Sequence, residues 1–153
     1  MYIGFIQILQ KPFTDFTAQV VHIGQLTEPV KMFTGVRQGC LVCPLLFLVT
    51  LDWVTRKAFG SLLRGIQWHL MSKLEDLEYA DDSALLSHRL QDMRCKMENL
   101  DMAGEMEGVI INAEKTKRIK VVSAQGGGVG IGQQMIEEVD SFQYLGMRML
   151  KFT

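Results

Sequence analysis

The chain has 153 residues, 48% of them hydrophobic and 22% charged, and its formal net charge is −1. That length corresponds to one domain with a real core, and the composition excludes a disordered chain. Near-neutrality excludes a strongly basic nucleic-acid binder and leaves any such contact to local patches.

The first twelve residues, "MYIGFIQILQKP", read as the tail of a helix stopped by Pro12. They carry no basic n-region and no A-x-A-like site, so they do not read as a secretory signal. "FTAQVVHIG" and "EPVKMFTG" alternate loosely around Gly24 and predict two strands or a hairpin over residues 16–34. "GVRQGCLVCP" follows, where Gly35 and Gly39 free the backbone on either side of Arg37 and Gln38.

Cys40 and Cys43 form a lone C-x-x-C, and Cys95 is the only other cysteine. With no second pair and no histidine pair, neither a zinc site nor a disulfide framework is expected. "PLLFLVTLDWVTRKAF" predicts a helix that is apolar nearly all round at its start and hence buried, with Cys43 as a poor N-cap. "CLVCPLLFLVTL" is too short to span a bilayer. The chain is therefore expected to be soluble and intracellular, nuclear or cytoplasmic, with no membrane partner.

"RGIQWHL" predicts a strand. "LEDLEYA" and "SALLS" predict two more, flanking Asp81 and Asp82 in a two-residue hairpin. Leu90, Met93, Met97, Leu100 and Ala103 recur at helical spacing, with Gly108 as the C-cap. "VIIN" and "RIKVVSA" predict strands on either side of the "AEKTK" turn. "QGGGVGIG" reads as a flexible loop, and "MIEEVDSFQYLGMRM" as a final hairpin. The order predicts an α+β fold, an antiparallel sheet with helices on one face. Ten methionines suit a loosely packed core.

Paired aspartates in a turn are often simply solvated. If both stay ionised they need a cation, because like charges at that distance otherwise drive one to take up a proton. Mg²⁺ suits hard oxygen ligands and leaves positions for substrate phosphates. Two such ions about 4 Å apart clamp the attacking and leaving oxygens of a phosphoryl transfer.

Four blocks in order carry a resemblance. "GVRQGC" with its Pro-led helix, "LEYADDSALLS", "GVIINAEKTK" and "FQYLG" together resemble the reverse transcriptases of non-LTR (LINE-like) retrotransposons, over about residues 15 to 149. The resemblance implies a polymerase palm-like sheet, incomplete, with fingers and thumb missing. Its parts would be a glycine–glutamine block at 35–44, an active-site hairpin at 74–87 and a helix at 89–107. A strand and KTK turn at 109–120 and a primer-grip-like hairpin at 135–149 would follow.

It also implies roles. Asp81 and Asp82 would hold Mg²⁺, and Tyr79 and Ala80 would shape the hairpin under the primer end. Gln38 and Gly39 would lie against the template–nucleotide pair, and Arg37 would touch template backbone or simply face solvent. Lys115 would stand by the pyrophosphate or be one of a basic turn with Lys117, Arg118 and Lys120. Phe142, Tyr144, Leu145 and Gly146 would face the primer. The implied partners are an RNA template, a DNA primer and a dNTP.

The chain departs from the family in two ways. No block like A-F-D-S-V, which carries the family's third metal-binding aspartate, precedes Gly35, and Asp15 is a poor substitute. Cys43 stands where the family usually has serine. The expectation is an RNA-directed DNA polymerase segment without activity by itself. The alternative is a non-enzymatic relic, or a palm-derived module that binds protein or nucleic acid.

Overall fold

Residues 6–7, 9–11, 14–32, 39–60, 64–121 and 127–151 are described by the computed structural model. They fall into two units, Met1–Cys43 and Pro44–Thr153. In the first, Ile6, Gln7, Leu9 and Gln10 are helical. A nested hairpin follows. β1 (Thr17–Ala18) pairs antiparallel with β4 (Val30–Lys31), and inside them β2 (Val21–His22) pairs with β3 (Gln25–Leu26). Gly24 sits in the turn with φ +74°. The Thr27 hydroxyl accepts the Val20 N–H at 3.0 Å, and its carbonyl accepts the Gln19 side-chain amide at 2.8 Å.

Helix α1 (Cys43–Phe59) starts at Cys43 itself, so Cys43 is its first residue and not its N-cap. The Cys43 N–H donates to Cys40 Sγ at 3.2 Å. The C-x-x-C spacing thus puts a sulfur acceptor where a helix start has N–H groups to satisfy.

The expectation of a wholly buried α1 is corrected. Leu51, Val54, Thr55, Ala58 and Phe59 are buried, at i, i+3, i+4, i+7 and i+8. Leu45, Leu48 and Val49, in the first half of the helix, and Trp53 are exposed. An apolar sequence all round does not choose a face; the partners that pack against the helix do.

The second unit continues with β5 (Ile66–His69), β6 (Ser72–Leu74), β7 (Asp76–Tyr79) and β8 (Asp82–Leu85). Helix α2 (Leu90–Glu107) ends at Gly108, whose φ of +75° closes a left-handed cap. Short strands follow: β9 (Lys117–Arg118), β10 (Gly130–Ile131), β11 (Gln134–Met135), β12 (Glu137–Glu138), β13 (Ser141–Tyr144) and β14 (Met147–Leu150). Both helices and strands are present, in an α+β mixture. Instead of one continuous antiparallel sheet, the described residues form seven two-stranded ladders, and β9–β12 is parallel.

Two hydrophobic clusters hold this unit. Val54, Ala58 and Phe59 of α1 meet Leu100 and Ala103 of α2. Met97 of α2 meets Val129, Ile131 and Ile136. Leu85 and Ile111 pack against both clusters. The segment read as a flexible glycine loop therefore supplies core residues. Val129 is 1% exposed, and the Gly128 carbonyl accepts the Arg94 Nε–H at 2.7 Å. A Cβ on Gly128 would stand 1.8 Å from Met135 Cε, the tip of an exposed side chain that can turn away. Residues 109–112, read as a strand, have no ladder partner among the described residues. The Val109 N–H instead donates to the Gly104 carbonyl at 2.8 Å, turning the chain back after α2.

Candidate active site

The hairpin β7–β8 pairs Asp76 with Leu85, Leu77 with Ala84, Glu78 with Ser83 and Tyr79 with Asp82. Its two loop residues are therefore Ala80 and Asp81, and Asp82 opens β8 opposite Tyr79. The reading that put both aspartates in the turn is corrected by one residue. In a strand, a one-residue shift moves every side chain to the other face, so the correction decides what Asp82 faces. It shares a face with Leu77, Tyr79 and Ala84, while Asp76, Glu78, Ser83 and Leu85 share the other. Leu85 enters the core, so the second face is the packed one. Ala80 holds φ +53°, a left-handed conformation that costs a residue with a Cβ about 1–2 kcal/mol.

Asp81 and Asp82 are exposed, and no hydrogen bond or ion pair engages them among the described residues. Their oxygens are hard donors open to solvent. Among the described residues, no three His, Cys, Asp or Glu side chains gather where they could hold a metal ion. This donor set suits a cation that takes one or two carboxylates and keeps its remaining positions for water or phosphate, as Mg²⁺ does, and not one that needs a closed protein cage.

Tyr144 brings a second hairpin against the first. β13 and β14 pair from Ser141–Leu150 to Tyr144–Met147, and Leu145 and Gly146 form the turn with φ of +49° and +79°. The Tyr144 hydroxyl donates to the Leu77 carbonyl at 3.1 Å. Its pKa is raised by burial, then by the charges of Asp82 and Glu78, so the phenol stays protonated and keeps donating. Phe142 is half-buried at the other end of β13.

A paired-carboxylate hairpin braced by a tyrosine hairpin is a local arrangement that several folds could hold. The whole-chain pattern decides which one this is. The sequence pattern of the family described as reverse transcriptase (RNA-dependent DNA polymerase) matches residues 5–149. The chain belongs to the reverse transcriptase family. It is similar to the retrovirus-related Pol polyprotein from type-1 retrotransposable element R2 of Popillia japonica, 24% identical over 154 residues. The match takes in 94% of this chain and 25% of that polyprotein, so the chain spans about a quarter of the length of its curated relative. The LINE-like resemblance of the four sequence blocks stands on both findings.

Not all residues singled out in the sequence are brought together. Arg37 and Gln38 lie outside the described residues. Gly39 is exposed with φ +81°, ahead of α1. Tyr79 is exposed beside Asp82. Lys115 is exposed, and its backbone N–H donates to Asn112 Oδ1 at 3.0 Å. The "IN" of that block thus works as a turn former, with Thr116 Oγ1 also donating to the Asn112 carbonyl at 2.8 Å. The basic turn is partly neutralised from within. Lys117 pairs with Glu137 at 2.5 Å, and Arg118 pairs with Glu138.

Sequence reasoning missed four titratable residues around the hairpin. Lys96 is 2% exposed and ion-paired with Glu75. Glu75 is pushed up by burial, but the Lys96 hydrogen bond, the Gly65 N–H and the Lys96 charge outweigh that and hold it below the usual range. Asp76 is raised by burial, partly offset by the Lys96 charge. Glu78 is raised by burial and then by the charge of Asp76. Only the density of acids in "KLEDLE" marks the three carboxylates in the sequence, and it does not say which are packed; nothing local marks Lys96.

The longest apolar run is also clear. No helix among the described residues is long and apolar enough to cross a membrane.

Proposed function

We propose that the Asp81–Asp82 hairpin is the carboxylate pair of a reverse transcriptase palm, the element that carries RNA-directed DNA synthesis. The observation that carries this reading is the exposed, unengaged pair at the end of a two-residue hairpin in a chain of this family. Asp81 and Asp82 hold Mg²⁺. Bound there, the ion supplies Lewis-acid polarisation of the nucleotide phosphates and neutralises charge on the leaving pyrophosphate.

The reaction joins the primer 3′-oxygen to the nucleotide α-phosphorus and breaks the bond from that phosphorus to pyrophosphate. Lys115 stands on the leaving-group side as a cation or proton donor. Gln38 and Gly39 lie along the template–nucleotide pair, with Arg37 on the template backbone. Tyr79 and Ala80 shape the floor under the primer end, and Phe142, Tyr144, Leu145 and Gly146 grip the primer. The partners are an RNA template, a DNA primer and a dNTP. By themselves these 153 residues should not turn over, because two carboxylates leave the attacking oxygen without its third anchor.

Two measurements test this. Mn²⁺ should broaden the NMR signals of Asp81 and Asp82 before others, and Asp81→Asn should abolish the effect; uniform weak broadening would overturn the metal site. Primer extension on an RNA template should yield no product. Product that vanishes in Asp81→Asn would overturn the stated inactivity. One observation favours a second reading, a module that binds protein without chemistry: the exposed apolar residues of α1, Leu45, Leu48, Val49 and Trp53.

A further inference from the structure

The open end of the β7–β8 hairpin is closed by one buried cation. Glu75 immediately precedes β7 and Leu86 immediately follows β8, and the Leu86 N–H donates to the Glu75 carbonyl at 2.9 Å. Lys96, from α2, reaches this same rung. Its Nζ donates to the Glu75 carbonyl at 2.9 Å and to the Leu86 carbonyl at 2.8 Å. It is also ion-paired with the Glu75 carboxylate and lies 5.4 Å from the centre of the Phe59 ring. Glu75 Oε1 accepts the Gly65 N–H at 2.7 Å, which ties the same knot to the start of β5.

An ammonium has three protons to place, and here three acceptors surround it in a site that is 2% exposed. A buried ion pair as a whole is often replaced without loss by apolar side chains, so core packing alone does not call for a lysine here. This one spends two of its donors on the main-chain carbonyls at the two legs of the carboxylate hairpin. Along its length the hairpin is held by the Tyr144 hydroxyl on the Leu77 carbonyl and by Glu78 against Thr55 of α1, while Lys96 and the Gly65 N–H hold its base.

We propose that Lys96 is a positioning residue for Asp81 and Asp82, clamping the base of their hairpin so that the two carboxylates converge on one cation. The proposal rests on the reading of that pair as a metal site. Lys96 does not touch the metal or the substrate. It acts through β7 and β8, as outer-shell partners act through ligands, where removal typically lowers metal affinity about 10- to 100-fold.

The test separates the clamp from the ion pair. Glu75→Gln leaves the ammonium on both carbonyls but without its counter-charge, so it scores the loss of the ion pair alone. The double variant Glu75→Gln/Lys96→Met then removes the clamp without leaving a charged partner stranded, and so keeps the chain folded where Lys96→Met alone fails to fold. Each is read by amide hydrogen exchange along residues 76–86 and along α2, and by Mn²⁺ titration of the Asp81 and Asp82 signals.

The expected result is a hairpin protected in Glu75→Gln and exchanging faster in the double variant, with α2 unchanged in both. Mn²⁺ affinity at the hairpin should fall about tenfold or more between the two. Equal hairpin exchange in both variants would overturn the clamp, whether or not the hairpin binds Mn²⁺. Faster exchange with unchanged Mn²⁺ affinity would overturn its link to the carboxylates. Absence of hairpin-centred Mn²⁺ binding in the unaltered chain is the separate failure of the metal-site reading, and it overturns the positioning of a metal pair while the exchange data still score the clamp.

Discussion

Three carboxylates within four residues of one another respond to acid in opposite directions. Glu75 has a folded pKa below its ordinary value of 4.5, because the Lys96 and N–H contacts outweigh burial. A depressed group contributes stability above its unfolded pKa and loses it as pH falls through the folded one. Asp76 and Glu78 are raised from 3.8 and 4.5 by burial, so their contributions are complete below those values and are lost as pH rises through the folded pKa. Urea midpoints across pH should therefore show two signs. Glu75→Gln should flatten the loss of stability below about pH 4.5. Asp76→Asn should raise the midpoint at neutral pH and leave it unchanged below pH 3.8. A neutral-pH loss in Asp76→Asn would show that its charge is used and not merely tolerated.

At the scale of elements, the hairpins share a backbone habit. Ile23, Ala80 and Leu145 all sit at the first turn position with positive φ, near +50°. Two-residue turns of this hand match the twist of the flanking strands, and asparagine or glycine fits them best. At Ala80 the strain lies beside the proposed metal ligands, where such strain is commonly stored. Leu145 tips the second hairpin and is followed by Gly146, so Leu145→Asn should stabilise the chain by about 1 kcal/mol. Thermal unfolding measures it; an unchanged or lowered midpoint would mean that the leucine makes a compensating contact. "FQYLGMRM" made this hairpin legible, since its alternation and Leu-Gly turn are local. The register of "EYADDS" was not legible to within one residue, because apolar residues flank the aspartates symmetrically and the pairing across the strands chooses.

For the molecule as a whole, charge pairing changes what the surface can do. The four cations around residues 115–120 predict a salt slope of at most about −3 to −4 for a duplex, at roughly −0.9 per phosphate. Lys117 and Arg118 are held by Glu137 and Glu138. With at least two of the four cations engaged, the patch should give a slope of about −2 or shallower. Fluorescence anisotropy of an RNA–DNA hybrid across a salt series measures it. A steeper slope would require those pairs to open on binding, and Glu137→Gln with Glu138→Gln should then steepen it further.

What the sequence determined by itself was whatever is written locally and in order. The paired aspartates between apolar runs, the glycine cap at Gly108, the hairpin around Gly24 and the four successive blocks of a reverse transcriptase all lie within short windows. Their meaning does not wait on a partner far along the chain. Tertiary structure alone decided which stripe of α1 is buried, that Val129 and Ile131 belong to the core, and that residues 109–112 do not pair as a strand. It also decided that Lys96 is buried, through a partner 21 residues away. Burial and ion pairing are properties of two surfaces meeting. A lysine at a helical position looks solvated in sequence, and becomes a clamp only when the fold brings a carboxylate and two main-chain carbonyls to its end.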